Sequence, residues 1–163
     1  MLKRLPALIC LALLSNSATP APNADKYAIT DMSAHLYHES SGAFDHANIT
    51  SERSPHLWNT IIGEGDAGSP SNAMLVLVKV RGRWVSDANP PKLRLTAQEK
   101  NGTELLNKAV DLKAFFSEGS TITVPFIAYG TGCSEIRLTA TLIGGRGTSL
   151  SKLSKKVPFE CGE

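Results

Sequence analysis

From Ile136 to Leu142 the chain alternates strictly, with Ile136, Leu138, Ala140 and Leu142 apolar and Arg137, Thr139 and Thr141 polar. Successive side chains of an extended strand point to opposite faces, so this run fits a strand with one face in a core and the other in water. Ile122, Val124, Phe126 and Ala128 repeat the pattern just upstream, and Gly130 and Gly132 mark the bend between the two runs. Two consecutive antiparallel strands are expected there.

The same period recurs earlier. Leu93, Leu95 and Ala97 oppose Lys92, Arg94, Thr96 and Gln98, and the run stops at Asn101-Gly102, a strong hairpin signal. A return strand through Leu105 and Ala109 should follow. Met74 to Val80 is apolar on both parities until Lys79, as befits a central strand covered on both faces, and Arg81-Gly82 closes it. Weaker strand signals lie at Tyr27 to Tyr37 and Asn59 to Ile62, with a terminal strand at Val157 to Cys161. Leu105 to Phe116 also fits a 3.6-residue period, so a strand to Val110 is expected to give way to a short helical turn over Leu112 to Phe116.

Short strands punctuated by Gly, Pro and Asn, without strand-helix alternation, predict an all-β, antiparallel two-sheet sandwich with at most one short helix. At 163 residues, 42% hydrophobic and 20% charged, the chain suits one core, placed over residues 25–163. The pattern resembles an immunoglobulin-like sandwich over about residues 27 to 161, in architecture rather than by motif. The familiar inter-sheet disulfide packed on a Trp is missing, since Cys133 begins a strand and Trp84 sits in loop-like sequence. Sandwiches of this kind host many unrelated activities, so the fold alone names none.

The amino end carries its own signal. Lys3 and Arg4 precede an apolar run from Leu5 to Leu14, followed by Ser15-Asn16-Ser17-Ala18 and a Pro-rich lead. This is the layout of a secretory signal peptide, cleaved within residues 17–24, and the run is about half of the roughly 20 residues a spanning helix needs. No transmembrane anchor is expected. Cys10 lies inside the apolar run after Ile9, where a lipoprotein cleavage site wants a small residue. Residues 1–24 hold two of the 17 Lys and Arg and none of the 15 Asp and Glu, so the exported chain has 15 of each sign. Without a net field it is not expected to hold nucleic acid. Arg146, Lys152, Lys155 and Lys156 remain as a local basic stretch in Gly-Ser-Thr-rich sequence, read as a solvated edge or loop.

Candidate chemistry gathers upstream. All four histidines, His35, His38, His46 and His56, lie near Glu39 and Asp45, and imidazoles so grouped in an exported chain suggest copper or zinc. Met32 adds a soft ligand. On a strand, however, His35 and His38 have opposite parity and face apart, so a metal shared by His35, His38 and His46 needs a bend. Gly63, Gly65 and Gly68 spell a dinucleotide-type glycine motif, but a β-type run follows instead of a helix, which favours a plain Gly-rich loop. Neither the carboxylates Glu64 and Asp66 nor the Ser-rich His38-Glu39-Ser40-Ser41-Gly42 has the spacing of a catalytic set. Tyr37, Phe44, Trp58, Trp84 and Tyr129 are the aromatics able to line a groove, with most expected in packing. Asn48-Ile49-Thr50 and Asn101-Gly102-Thr103 would be glycosylation sequons in a eukaryotic host.

These features describe a secreted, non-catalytic β-sandwich, periplasmic in a bacterium, that binds another envelope or extracellular protein. Trp58, Glu64 and Asp66 are the candidate contacts, within the irregular stretch Ser40 to Asn72. The alternative is a periplasmic copper or zinc protein. Two cysteines survive export, Cys133 and Cys161, 28 positions apart and without metal-ligand spacing, and an oxidising compartment would join them. Closing that loop removes roughly 3 to 4 kcal/mol of unfolded-state entropy. Thiol titration of the denatured, unreduced mature chain should therefore find essentially no free thiol, whereas two would refute the bond.

Overall fold

The computed structural model describes residues 26–38, 40–50, 57–59, 71–83, 90–112, 115, 119–131, 134–145 and 147–161, with the backbone alone for 57–59, 160 and 161. These residues form ten strands and no helix: β1 (Ala28–His38), β2 (Ala43–Phe44), β3 (Leu57–Asn59), β4 (Ala73–Gly82), β5 (Lys92–Glu99), β6 (Glu104–Asp111), β7 (Ser120–Tyr129), β8 (Ile136–Ile143), β9 (Ser149–Val157) and β10 (Phe159–Cys161). One four-stranded sheet runs β2-β1-β4-β7 and a second runs β6-β5-β8-β9, both antiparallel; β3 and β10 form a small parallel pair. The chain crosses between sheets after β4, β6 and β7. This is the two-sheet sandwich the alternation predicts, immunoglobulin-like in overall architecture.

The core fills from the alternate positions. On β4, Met74, Val76, Val78 and Val80 are fully buried; Ile136, Leu138, Ala140 and Leu142 of β8 and Leu93, Leu95 and Ala97 of β5 meet them from the other sheet. Burying a side chain of Leu or Val size stabilises by about 1.5–3 kcal/mol, so these positions carry most of the driving force. One end is stopped by Tyr27 and Phe115, whose ring centroids lie 5.5 Å apart. Phe115 packs directly over Gly82, where a Cβ would stand 2.5 Å from the ring. A glycine is needed there for close approach rather than for its backbone angle.

Three expectations change. β4 is central, but its second face is not covered: Leu75 and Leu77 are half-buried and Lys79 is exposed. Leu75 and Leu77 therefore lie outside the core between the sheets. Leu112 and Phe115 are buried in non-helical backbone, and the rest of the Leu112 to Phe116 turn lies outside the described residues. The stretch Ser40 to Asn72 is not wholly irregular, since it contains β2, β3 and a segment hydrogen-bonded along β1. The basic stretch, read as a solvated edge or loop, is an edge: Lys152, Lys155 and Lys156 stand on β9, the terminal strand of its sheet, and Arg146 lies outside the described residues.

Hairpin β5–β6 forms at Asn101-Gly102, through the connection Lys100 to Thr103 rather than a two-residue turn. Gly102 takes φ +96° and donates its N–H to Glu99 O at 2.9 Å. Only glycine adopts that region without strain.

Among the described residues, one ionic cluster joins the two sheets. Asp31 of β1 lies 3.4 Å from Lys79 on the neighbouring β4 and 3.2 Å from Lys155, which reaches across from β9. Its Oδ1 also accepts the Met32 N–H at 2.8 Å, where the register between β1 and β4 shifts. Burial pushes this carboxyl up, but Lys155, the Met32 N–H and Lys79 outweigh it and hold the pKa below its ordinary 3.8. A carboxylate favoured in the folded chain contributes stability above the unfolded value, and that contribution disappears as pH falls through the lower folded value. The side chain is 42% exposed, so the contribution is about 1 kcal/mol or less and is screened by salt. The gap in Tm between the parent and Asp31→Asn should be open at pH 6 and close as the pH drops below 3.8; thermal melts across pH 2–7 read it directly.

Candidate functional site

The free side of β1 is finished by the residues that follow it. After a turn in which Gly42, at φ +65°, donates to His38 O at 2.8 Å, β2 pairs Phe44 with Tyr37. The chain then runs back along the edge: Asp45 N donates to Leu36 O at 3.0 Å and Ile49 N to Ala34 O at 2.9 Å. Between them the Asn48 carboxamide acts as a strand would. Its Oδ1 accepts from Ala34 N at 3.1 Å, Thr50 N at 3.1 Å and the Thr50 hydroxyl at 2.9 Å. The buried Ile49 pins the segment to the core.

The histidines belong to this edge. His38 has core parity and is buried, with Nε2 3.0 Å from Asp45 Oδ1. His35 faces outward, with Nδ1 3.1 Å from Asp45 O and Nε2 3.1 Å from the Ser33 hydroxyl. A carbonyl only accepts, so Nδ1 donates, and in the neutral ring Nε2 accepts from Ser33. The two imidazoles thus hold opposite faces of one strand and meet at Asp45. His46 is exposed, and Met32 lies fully buried in the core. Among the described residues no three His, Cys, Asp or Glu side chains are grouped so as to hold an ion. His56, Glu64, Asp66, Trp84 and Cys133 lie outside the described residues. Trp58 and Cys161 stand on β3 and β10, where Glu160 pairs with Trp58 and Cys161 with Asn59.

What the strands do bring together is the outer face of the β2-β1-β4-β7 sheet. Strand register sets side chains in rows across it: Phe44, Tyr37, Ala73 and Tyr129; then His35, Leu75 and Ile127; then Ser33, Leu77 and Pro125; then Asp31, Lys79 and Thr123. The first row is aromatic, the next two largely aliphatic, and the last ionic. Tyr37 and Phe44 lie with ring centroids 4.7 Å apart. Phe44 and Ile127 are each 39% exposed and Tyr129 58%, the large apolar side chains left most open to solvent among those described. Ser71, whose hydroxyl lies 2.6 Å from Tyr37 O and 2.9 Å from Ala73 O, ties the aromatic row to the start of β4. The sequence offered one signal for this face, the second apolar parity of Met74 to Val80, which reads equally well as burial.

The edge depends on Asn48. Asn48→Ala would leave the N–H of the fully buried Ala34 without its acceptor and should cost about 1–3 kcal/mol in chemical denaturation. Asn48→Asp keeps the acceptor and should lose less than half of that.

No protein-family model matches the chain, and no curated protein does. Among solved structures the chain is similar to a Bifidobacterium dentium beta-glucuronidase complexed with coumarin-3-O-glucuronide, at 10% identity and a TM-score of 0.44. The match covers 82% of this chain and 18% of that one, so the chain spans about a fifth of the enzyme's length. Likeness at that level bears on neither activity nor ligand.

Proposed function

We propose that the chain is an exported, non-catalytic binding module of the bacterial envelope, and that its partner is another protein docked on the outer face of the β2-β1-β4-β7 sheet. The observation that carries this is the exposure of Phe44, Ile127 and Tyr129, with the half-buried Tyr37 beside Phe44, on two neighbouring rows of a sheet whose other face supplies the core. Exposed aromatics in a cluster are costly to leave in water and are the residues that most often anchor protein partners. The charged Lys79 and Arg81 end the same face, and only Lys79 has an ion-pair partner among the described residues, Asp31. A partner with an apolar centre and an acidic margin fits this arrangement of core and rim. Export is supported by the amino-terminal segment. The extended sheet face, rather than a set of converging nucleophile, base and acid, supports binding over turnover.

A photo-crosslinking side chain placed at Ile127, in cells that naturally export the protein, should capture one protein that the same probe at Lys100 does not. With that protein purified, Tyr129→Ser should weaken binding tenfold or more by calorimetry, a change of about 1.4 kcal/mol. Equal capture from both positions, adducts only between copies of this chain, or an unchanged Kd would overturn the proposal.

A further inference from the structure

The opposite face of the sandwich has a different chemistry. Outward positions of β5, β8 and β9 fall into three rows set by register: Arg94, Thr141 and Lys152; Thr96, Thr139 and Ser154; Gln98, Arg137 and Lys156. Cationic rows thus flank a row of hydroxyls. Lys156 is paired with Glu135 at 2.9 Å, and Lys92 beyond the first row with Asp111 at 3.5 Å. Arg94, Arg137 and Lys152 have no ion-pair partner among the described residues, and all three are exposed. Arg137 also stands directly opposite Lys156, whose own charge is met by Glu135. The chain's cations and anions are nearly balanced overall, so three unpaired cations on one flat face are a local segregation that total charge conceals.

We propose that this face binds a linear acidic polysaccharide, one carrying carboxylates or sulfates along an extended chain. Strand spacing puts Arg94 and Lys152 about 10 Å apart and Arg137 about 14 Å from each, which suits anions recurring along a polymer better than one compact anion. The hydroxyl row supplies what sugars need besides charge. Thr139 and Ser154 are bonded to each other at 3.0 Å, a contact that uses one O–H and leaves the other to reach a ligand. Nucleic acid fits less well, because the outward positions of β5, β8 and β9 hold no aromatic on which a base could stack. A membrane fits less well too, since Ile143 is the lone large apolar side chain on these three rows' border and an interfacial surface needs several.

The mature chain can be titrated with polygalacturonate, dextran sulfate, neutral dextran, poly(dT) and vesicles containing phosphatidylglycerol at about 50 mM salt. Binding to one or both acidic polysaccharides is expected, the carboxylated and sulfated arms telling the two anions apart, with neutral dextran inert. Three cation contacts imply a slope of log affinity against log salt near −2. Arg94→Ser with Arg137→Ser should weaken binding at least tenfold and flatten that slope, while Arg94→Lys with Arg137→Lys stays within about threefold of the parent. Lys100→Ser with Lys108→Ser removes the same charge elsewhere and should change affinity less than twofold. Circular dichroism of each variant reports folding separately. Absence of binding to both acidic polymers, equal weakening by the two serine pairs, or equal or tighter binding of poly(dT) or vesicles would overturn the proposal. None of these readouts depends on the aromatic face, so the two proposals stand or fall apart.

Discussion

The fold depends on the interlock of two sets of alternate side chains across one interface. Met74, Val76, Val78 and Val80 project from the middle of one sheet, and Leu93, Leu95, Leu138 and Leu142 from the middle of the other, all with no exposed surface. Because strand side chains repeat every two residues, fixing this interlock also fixes which residues face outward. A one-residue slip of β4 would bring Leu75 and Leu77 into the core and expel the valines. The outward rows on both faces are therefore consequences of the core's register, and neither face can be rearranged without disturbing it.

How much of this is legible in the sequence varies with how each strand is used. β5 and β8 read clearly, because both have an inner face of aliphatics and an outer face of polar residues. β9 does not, since Lys155 occupies an inward position; its ammonium reaches Asp31 of the opposite sheet instead of a hydrophobic neighbour. A lysine at that parity erases the alternation that would have revealed the strand. β4 was legible as a strand and as central, yet an apolar second parity carries the same letters whether a face is buried by the chain itself or left for something else. β2 and β3 are two and three residues long, too short to generate a period.

The site was less legible than the fold. The histidines stood out by their grouping, but that grouping follows from β1 and the segment folded back along it, which meet at Asp45. Asn48 gave no sign of its role, because a carboxamide that substitutes for a strand partner is recognisable only once the neighbouring backbone is placed. Tyr37, Phe44 and Tyr129 are spread over more than ninety positions, and only the pairing of β2 with β1, β1 with β4 and β4 with β7 sets them in one row. Likewise Arg94, Arg137 and Lys152 come from three strands, so no window of sequence contains the basic face.

Pro125 lies midway along β7, the strand that ends its sheet, opposite Leu77. A proline has no N–H, so a further strand laid along this margin would find one rung of the ladder without a donor. The margin beside the most exposed apolar residues is thus the one at which growth of the sheet is interrupted. A molecule that displays Tyr129 and Ile127 to solvent would otherwise present, side by side, an adhesive surface and a template for adding strands. With one rung lacking a donor, this margin is a poorer template for a further strand than the exposed side chains beside it would suggest.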